Sequence, residues 1–138
     1  MPQLNAYVFF DGDCADAVRF YEQTLGAKTQ LMMKAKDSPM PPSNPADGDR
    51  ILHAHLEIDG KSLLVSDWMA PQPYPGKHGF SLALQYYRVD EARRVFDALA
   101  DGGSVYMPMQ QTFWSQSFGM LIDRYGIHWM VSGPQSTP

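Results

Sequence analysis

Three side chains able to bind a metal or move a proton stand at alternate positions of one short segment: His53, His55 and Glu57 in ILHAHLEI. On a strand, residues at i, i+2 and i+4 share a face, and neighbouring members lie about 6.7 Å apart at the backbone. Two imidazoles at that spacing can converge on one ion, whereas the third group is about twice as far away. Ordinary alternation competes with this reading. Leu52, Ala54, Leu56 and Ile58 would form the apolar face, and the three polar residues simply the other one. Alternation is the preferred account, with a His53 and His55 metal pair as the alternative.

Aromatic residues form the second group. Tyr7, Phe9, Trp68, Phe113, Trp114, Phe118 and Trp129 fall on expected strands or strand ends, and a cup lined by such rings would stack on a flat or apolar ligand. Core packing competes for each of them. Trp114 and Phe118 stand out because they flank the polar run Ser115-Gln116-Ser117 in a segment that reads as loop. Cys14 lies near an expected helix N-terminus, where a thiolate is favoured, but it belongs to the apolar stripe of that helix and reads as a packed core cysteine. No GxSxG elbow, P-loop, HExxH or dinucleotide glycine fingerprint is present, so nucleophilic hydrolysis, phosphate cradling and Rossmann-type cofactor binding have no sequence support.

The elements that must position these residues follow a repeated order. Residues 4–10 (LNAYVFF) suit a buried strand, and Asp11-Gly12-Asp13 supplies a turn and a helix N-cap. In the helix that follows, Cys14, Ala17, Val18, Tyr21 and Leu25 fall on one stripe, and Gly26 ends it. Strands are expected at 28–35, 51–58 and 62–66, with a proline-rich loop at 38–49 and a hairpin turn at Asp59-Gly60. After the turn-rich MAPQPYPGKHG, a strand at 80–87 leads into a helix with Ala92, Val95, Phe96 and Leu99 on one stripe, ended by Gly102-Gly103. Strands near 104–108, 118–122 and 127–132 complete the chain, the last two joined through Asp123-Arg124-Tyr125-Gly126. At a constant offset of 75 residues Ala17 meets Ala92, Arg19 meets Arg94 and Tyr21 meets Phe96. Each half therefore reads strand, helix, three strands, and duplication of one supersecondary unit explains it.

Composition bounds the function. A chain of 138 residues with 44% hydrophobic content suits one domain. The expected organisation is a single domain of two modules, about 1–68 and 79–133, joined by a Pro/Gly-rich linker. The net charge of −4 is spread along the chain, without a basic stripe for phosphates or anionic lipid, so neither nucleic acid nor membrane is an expected partner. The segment MPQLNAYVFF lacks the regions of a signal peptide, and a single cysteine allows no internal disulfide. A soluble, cytoplasmic protein is the expectation.

Three segments, YVFFDGDCADAVRFYEQTLGA (7–27), HAHLEIDGKSLLVSD (53–67) and QTFWSQSFGMLIDRYGIHWMVS (111–132), resemble the vicinal oxygen chelate (glyoxalase/bleomycin-resistance) superfamily, and within it the PhnB-like branch. The resemblance implies an α+β fold of paired βαβββ modules, forming cupped mixed sheets with helices outside, a cavity inside the curve, and commonly a homodimer. Members range from metal-dependent isomerases and dioxygenases to metal-free drug-sequestering proteins, so kinship alone leaves the chemistry open. Metal-using relatives take one His or Glu ligand from the first and fourth strand of each module. Here those strands offer Asn5, Ala6 and Tyr7; Leu64, Val65 and Ser66; Phe80, Ser81 and Leu82; and Trp129, Met130 and Val131. None replaces an imidazole or carboxylate at a divalent ion. Only a slip in register would bring in Asp67, His78 or His128.

The expectation is therefore a metal-independent small-molecule-binding protein without a cofactor. Its ligand-binding residues would come from His53, Ser66, Trp68, Ser81, Gln85, Trp114, Phe118 and Trp129. The alternative is a metal-dependent glyoxalase-, lyase- or dioxygenase-like enzyme whose divalent ion is held by His53 and His55. The ubiquinone-pathway methyltransferase label carried by some proteins of this branch is rejected, because no glycine-rich loop for a nucleotide-like methyl donor is present. A homodimer is expected on geometric grounds as well, since a curved half-sheet leaves one face and an edge uncovered.

Overall fold

Among the described residues, eight strands and two α-helices form in two successive runs of the same order, strand, helix, three strands. The structure, a computed structural model, describes residues 1–40 and 42–136. By its internal contacts the chain divides into two units, Met1–Gly76 and Lys77–Pro138. The α+β fold of two βαβββ modules expected from the sequence is the one observed.

In the first unit, β1 (Ala6–Phe10), β2 (Lys28–Lys34), β3 (Ile51–Ile58) and β4 (Lys61–Asp67) form a mixed sheet of order β1-β4-β3-β2. β1 runs parallel to β4, with Tyr7 opposite Leu64 and Phe9 opposite Ser66, and the other pairings are antiparallel. Strand alternation gives the sheet two unlike faces. Val8, Phe10, Ala54, Leu56, Leu63 and Val65 are buried together, covered by α1 (Cys14–Leu25), which packs on β2, β3 and β4 through Ala17, Val18 and Tyr21. Leu52, at the start of the expected apolar row, is 39% exposed. The face away from the helix, called the open face below, carries the alternate residues of each strand. Asp59 and Gly60 both take positive φ, 48° and 81°, the pairing a two-residue hairpin turn needs.

The start of α1 departs from expectation. Asp13 contributes its backbone carbonyl to Ala17 N–H but makes no side-chain cap. The capping carboxylate comes from Asp67, at the end of β4. Its Oδ1 accepts the N–H groups of Gly12 (2.8 Å) and Cys14 (3.1 Å), and its Oδ2 accepts that of Ile51 (2.8 Å). One buried side chain thus ties the helix entry, the head of β3 and the tail of β4. The proline-rich loop holds two short 3-10 turns, Ala35–Asp37 and Pro45–Asp47.

In the second unit, β5 (Leu82–Gln85), β6 (Ser104–Gln110), β7 (Phe118–Ile122) and β8 (His128–Ser132) repeat the topology in the order β5-β8-β7-β6. α2 (Val89–Ala100) buries Ala92, Val95, Phe96 and Leu99, and its bounds are those of α1 displaced by the 75-residue offset read in the sequence. β5 is shorter than the expected 80–87 because its partner β8 offers pairing only from Trp129, opposite Leu82, to Ser132, opposite Gln85. β6 runs longer than expected and absorbs two register shifts, one between Val105 and Met107 and one between Met107 and Gln110. Gly119 lies beneath α2, where an added Cβ would stand 2.7 Å from Cε2 of Phe96. Among the described residues no helix is long and apolar enough to cross a membrane.

Candidate functional site

The open face of the first sheet is built from side chains that alternate with the core rows. β1 contributes Tyr7 and Phe9, each 40% exposed, β4 contributes Leu64 and Ser66, and β3 contributes His53 and His55, both half-buried. Rings run across this face in a chain. His53 and Tyr7 lie 5.6 Å apart between centroids, Tyr7 and Phe9 5.0 Å, Phe9 and Trp68 5.3 Å, and Trp68 and Tyr74 6.2 Å. The Tyr7 hydroxyl and His53 Nδ1 share a 3.0 Å hydrogen bond that spans β4. The segment after β4 folds back over the end of the face: Trp68 Nε1 donates to the carbonyl of Gln72 (2.8 Å), and the Tyr74 hydroxyl donates to that of Phe9 (2.7 Å). Because β1 is an edge strand, Tyr74 also occupies an acceptor that would otherwise be open to pairing. Arg50 fixes the base of this segment by donating to the Trp68 carbonyl (3.0 Å) and to Asp11 Oδ1 (3.1 Å).

The open face of the second sheet has a related composition. Tyr106 and His128 share a 2.8 Å bond between the hydroxyl and Nδ1. Phe118 is 7% exposed and Trp114 46% exposed, with their centroids 5.3 Å apart, and Phe113 packs on Trp114 at 4.7 Å. Ser115 and Ser117, the polar residues between these rings, are buried. Ser115 donates to the Ser117 carbonyl (2.8 Å), while the Ser117 hydroxyl is buried without a hydrogen-bond partner.

The residues singled out from the sequence separate into groups. His53 and Trp68 belong to the aromatic face of the first unit, and Ser66 lies in register opposite Phe9, although only 3% exposed. Ser81 precedes β5 and is half-buried, and Gln85 ends that strand exposed. Trp114 and Phe118 stack together in the second unit. Trp129 is 2% exposed, on the helix-covered side with Val131, and its Nε1 donates to Oδ2 of the buried Asp123 (2.8 Å). Packing and this bond account for it. Tyr74, Tyr106 and the Tyr–His pairing were not legible beforehand, since each depends on which strand becomes the neighbour of which.

A divalent ion of the family's type finds a poor donor set here. On the first and fourth strands of the two units the open-face positions hold Tyr7, Phe9, Leu64, Ser66, Ala83, Gln85, His128, Met130 and Ser132. His128 reaches this face without any slip in register, as a single imidazole bonded through Nδ1 to Tyr106. No register slip brings in Asp67, whose oxygens are taken by three backbone amides. His55 Nε2 bonds the Ser62 hydroxyl at 2.8 Å, and among the described residues no three of His, Cys, Asp and Glu group as ligands. These residues do not fit the usual four-ligand site.

Two βαβββ units, each with a helix on one sheet face and the other face open, define the paired-module fold class. The chain belongs to the Glyoxalase/Bleomycin resistance protein/Dioxygenase superfamily, whose family model matches residues 3–131. It is 34% identical over 146 residues to protein YjdN of Escherichia coli (strain K12), covering 98% of this chain and 97% of that one. Among solved structures it is similar to protein PA1353 from Pseudomonas aeruginosa, with a TM-score of 0.90, 41% identity, and coverage of 99% and 100%. A PhnB protein from Bacillus cereus, described as a putative 3-demethylubiquinone-9 3-methyltransferase, aligns with a TM-score of 0.79 over 96% of this chain and 99% of that one. At 22% identity that likeness shows the fold alone.

Proposed function

We propose that this protein binds a flat, largely apolar small molecule, without a divalent metal, on the ring-lined open face of the first unit. The observation that carries this reading is the continuous run His53–Tyr7–Phe9–Trp68–Tyr74, in which strand aromatics stay substantially exposed instead of joining the core. Offset and edge-on ring contacts favour a planar guest. His53, with Nδ1 engaged by Tyr7, turns the chemistry of its other ring nitrogen to one polar group of that guest. Ligand binding on such a face requires no reaction, and a binding or sequestering role fits better than catalysis because the open-face positions of the first and fourth strands hold one imidazole, His128, and no carboxylate. We further propose a homodimer: Tyr7, Phe9 and Leu31 leave apolar area uncovered on the same face, and a second copy would shield it.

Fluorescence titration with anilinonaphthalene sulfonate as an aromatic probe tests the reading. Saturable binding that weakens at least about fivefold in Trp68→Ala, the loss of roughly 1 kcal/mol of ring contact, supports it. Binding unchanged in both Trp68→Ala and Tyr7→Ala overturns it. Elemental analysis of untagged protein purified without chelator tests the metal clause, and about one equivalent of Zn, Ni, Mn or Fe that is lost with His53→Ala/His55→Ala overturns that clause.

A further inference from the structure

Three methionines fall on one row of the second sheet. Met130 of β8 is in register with Met120 of β7, and Met120 is in register with Met107 of β6. Residues directly opposite each other in antiparallel strands point to the same face. Trp129, Val131 and Leu121 occupy the buried, helix-covered face, which puts Met120 and Met130 on the open one. The register shifts on either side of Met107 set it beside Tyr106, on the face where Tyr106 bonds His128. All three methionines and His128 are half-buried, so the thioethers are neither packed in the core nor fully in water. His128 lies two residues before Met130 on the same strand face, about 6.7 Å along it.

We infer that Met107, Met120 and Met130, with Nε2 of His128, form a site for a soft monovalent cation, Cu(I) or Ag(I). Thioether sulfur is a soft donor that selects Cu(I) over the harder divalent ions. Neighbouring strands are about 4.8 Å apart, and methionine's three rotatable side-chain bonds let sulfurs on three adjacent strands converge above the central one. The Tyr106 hydroxyl, 2.8 Å from His128 Nδ1, supplies the outer partner that a ligating histidine needs: in the tautomer whose Nδ1–H donates to it, the Nε2 lone pair is left for the ion. This site uses none of the residues of the aromatic face in the first unit. It therefore stands or falls apart from the small-molecule reading.

The test is anaerobic competition for Cu(I) between the untagged protein and the chromophoric chelator bicinchoninate. One equivalent should be withdrawn from the chelator, and Met120→Leu, which keeps volume and apolar character, should weaken uptake at least tenfold. The triple leucine variant should abolish it, and Zn(II) should not compete. No withdrawal of Cu(I), or equal withdrawal by the triple variant, overturns the site, the latter marking copper held adventitiously elsewhere. Should the triple variant not fold, methyl-labelled methionine spectra of the wild-type protein titrated with Ag(I) decide. Shifts confined to Met107, Met120 and Met130 among the nine methionines support the site, and shifts spread over the others, or absent, refute it.

Discussion

Replacing Asp67 tests whether one carboxylate organises the first unit. The side chain is 3% exposed and accepts the backbone N–H groups of Gly12, Cys14 and Ile51. A hydrogen bond to a charged group contributes about 1.5–3 kcal/mol, and a buried donor left without a partner costs about 1–3 kcal/mol. Asp67→Ala strands three donors, on Gly12, Cys14 and Ile51. Water entering the vacated space would recover part of the loss, so the expected destabilisation is about 3–5 kcal/mol, the range found when one partner of a buried charged contact is removed. Asp67→Asn preserves an acceptor for Gly12 and Cys14 but sets an amide NH2 against Ile51 N–H. One bond is lost and two donors face each other, for about 2–3 kcal/mol. Urea unfolding followed by far-ultraviolet circular dichroism gives both values, provided the m-value is unchanged. An Asp67→Ala protein within about 1 kcal/mol of wild type, at equal m, would refute the assignment. So would Asn being more damaging than Ala.

Asp123 predicts a parallel result in the second unit. It accepts Tyr125 N–H, Ile127 N–H and Trp129 Nε1–H, so Trp129→Phe should cost about 1.5–3 kcal/mol in the same assay while leaving aromatic-probe affinity within about twofold. Gly103→Ala places a methyl 2.2 Å from the backbone carbonyl oxygen of Ile122 and should destabilise by at least about 1–3 kcal/mol; a neutral outcome in thermal unfolding would contradict the packing at that corner. Sedimentation equilibrium at micromolar concentration should give a mass near twice 15.5 kDa, and a clean monomer with native circular dichroism would remove the dimer. Tyr7→Phe removes only the hydroxyl bonded to His53. It should alter affinity for guests bearing a polar group while leaving purely apolar guests unaffected, as measured by isothermal titration calorimetry.

Much of the fold could be read because it depends on short-range signals. Helix stripes, Gly26 at the end of α1 and the Asp59-Gly60 turn are all determined within a few residues, and the duplicated helix emerges from a constant offset. Two things could not be read locally. The first was the N-cap of α1, because Asp67 is 53 residues from the Cys14 amide it binds and only the parallel pairing of β1 with β4 brings them together. The second was the inward or outward choice for each aromatic residue. Trp129 and Trp68 look alike as strand-end rings, yet Trp129 falls on the row with Val131 beneath α2, while Trp68 lies just past the last residue of β4 and turns onto Phe9. A one-residue difference in phase decides between core and surface.

The two Tyr–His pairs extend this argument to the site. In the first unit the tyrosine is on the first strand and the histidine on the third, reaching across the fourth. In the second unit they come from the second and fourth strands of the module and reach across the third. Duplication carries a residue to the equivalent strand, so inheritance from one ancestral pair does not produce this pattern. The offset of 75 residues that aligns the helices does not carry into the first strands: it sets the open-face Tyr7 against Leu82, which pairs with Trp129 on the helix-covered row. The two pairs therefore occupy non-equivalent strands, whereas the buried rows beneath α1 and α2 follow the same alternation in both sheets. Packing beneath the helices constrains the core rows in both units alike, whereas the open faces differ: both carry rings, and the second adds the row Met107, Met120 and Met130. Because the two proposed sites share no residue, the aromatic-probe and Cu(I) titrations are independent: Trp68→Ala should change only the first, and Met120→Leu only the second.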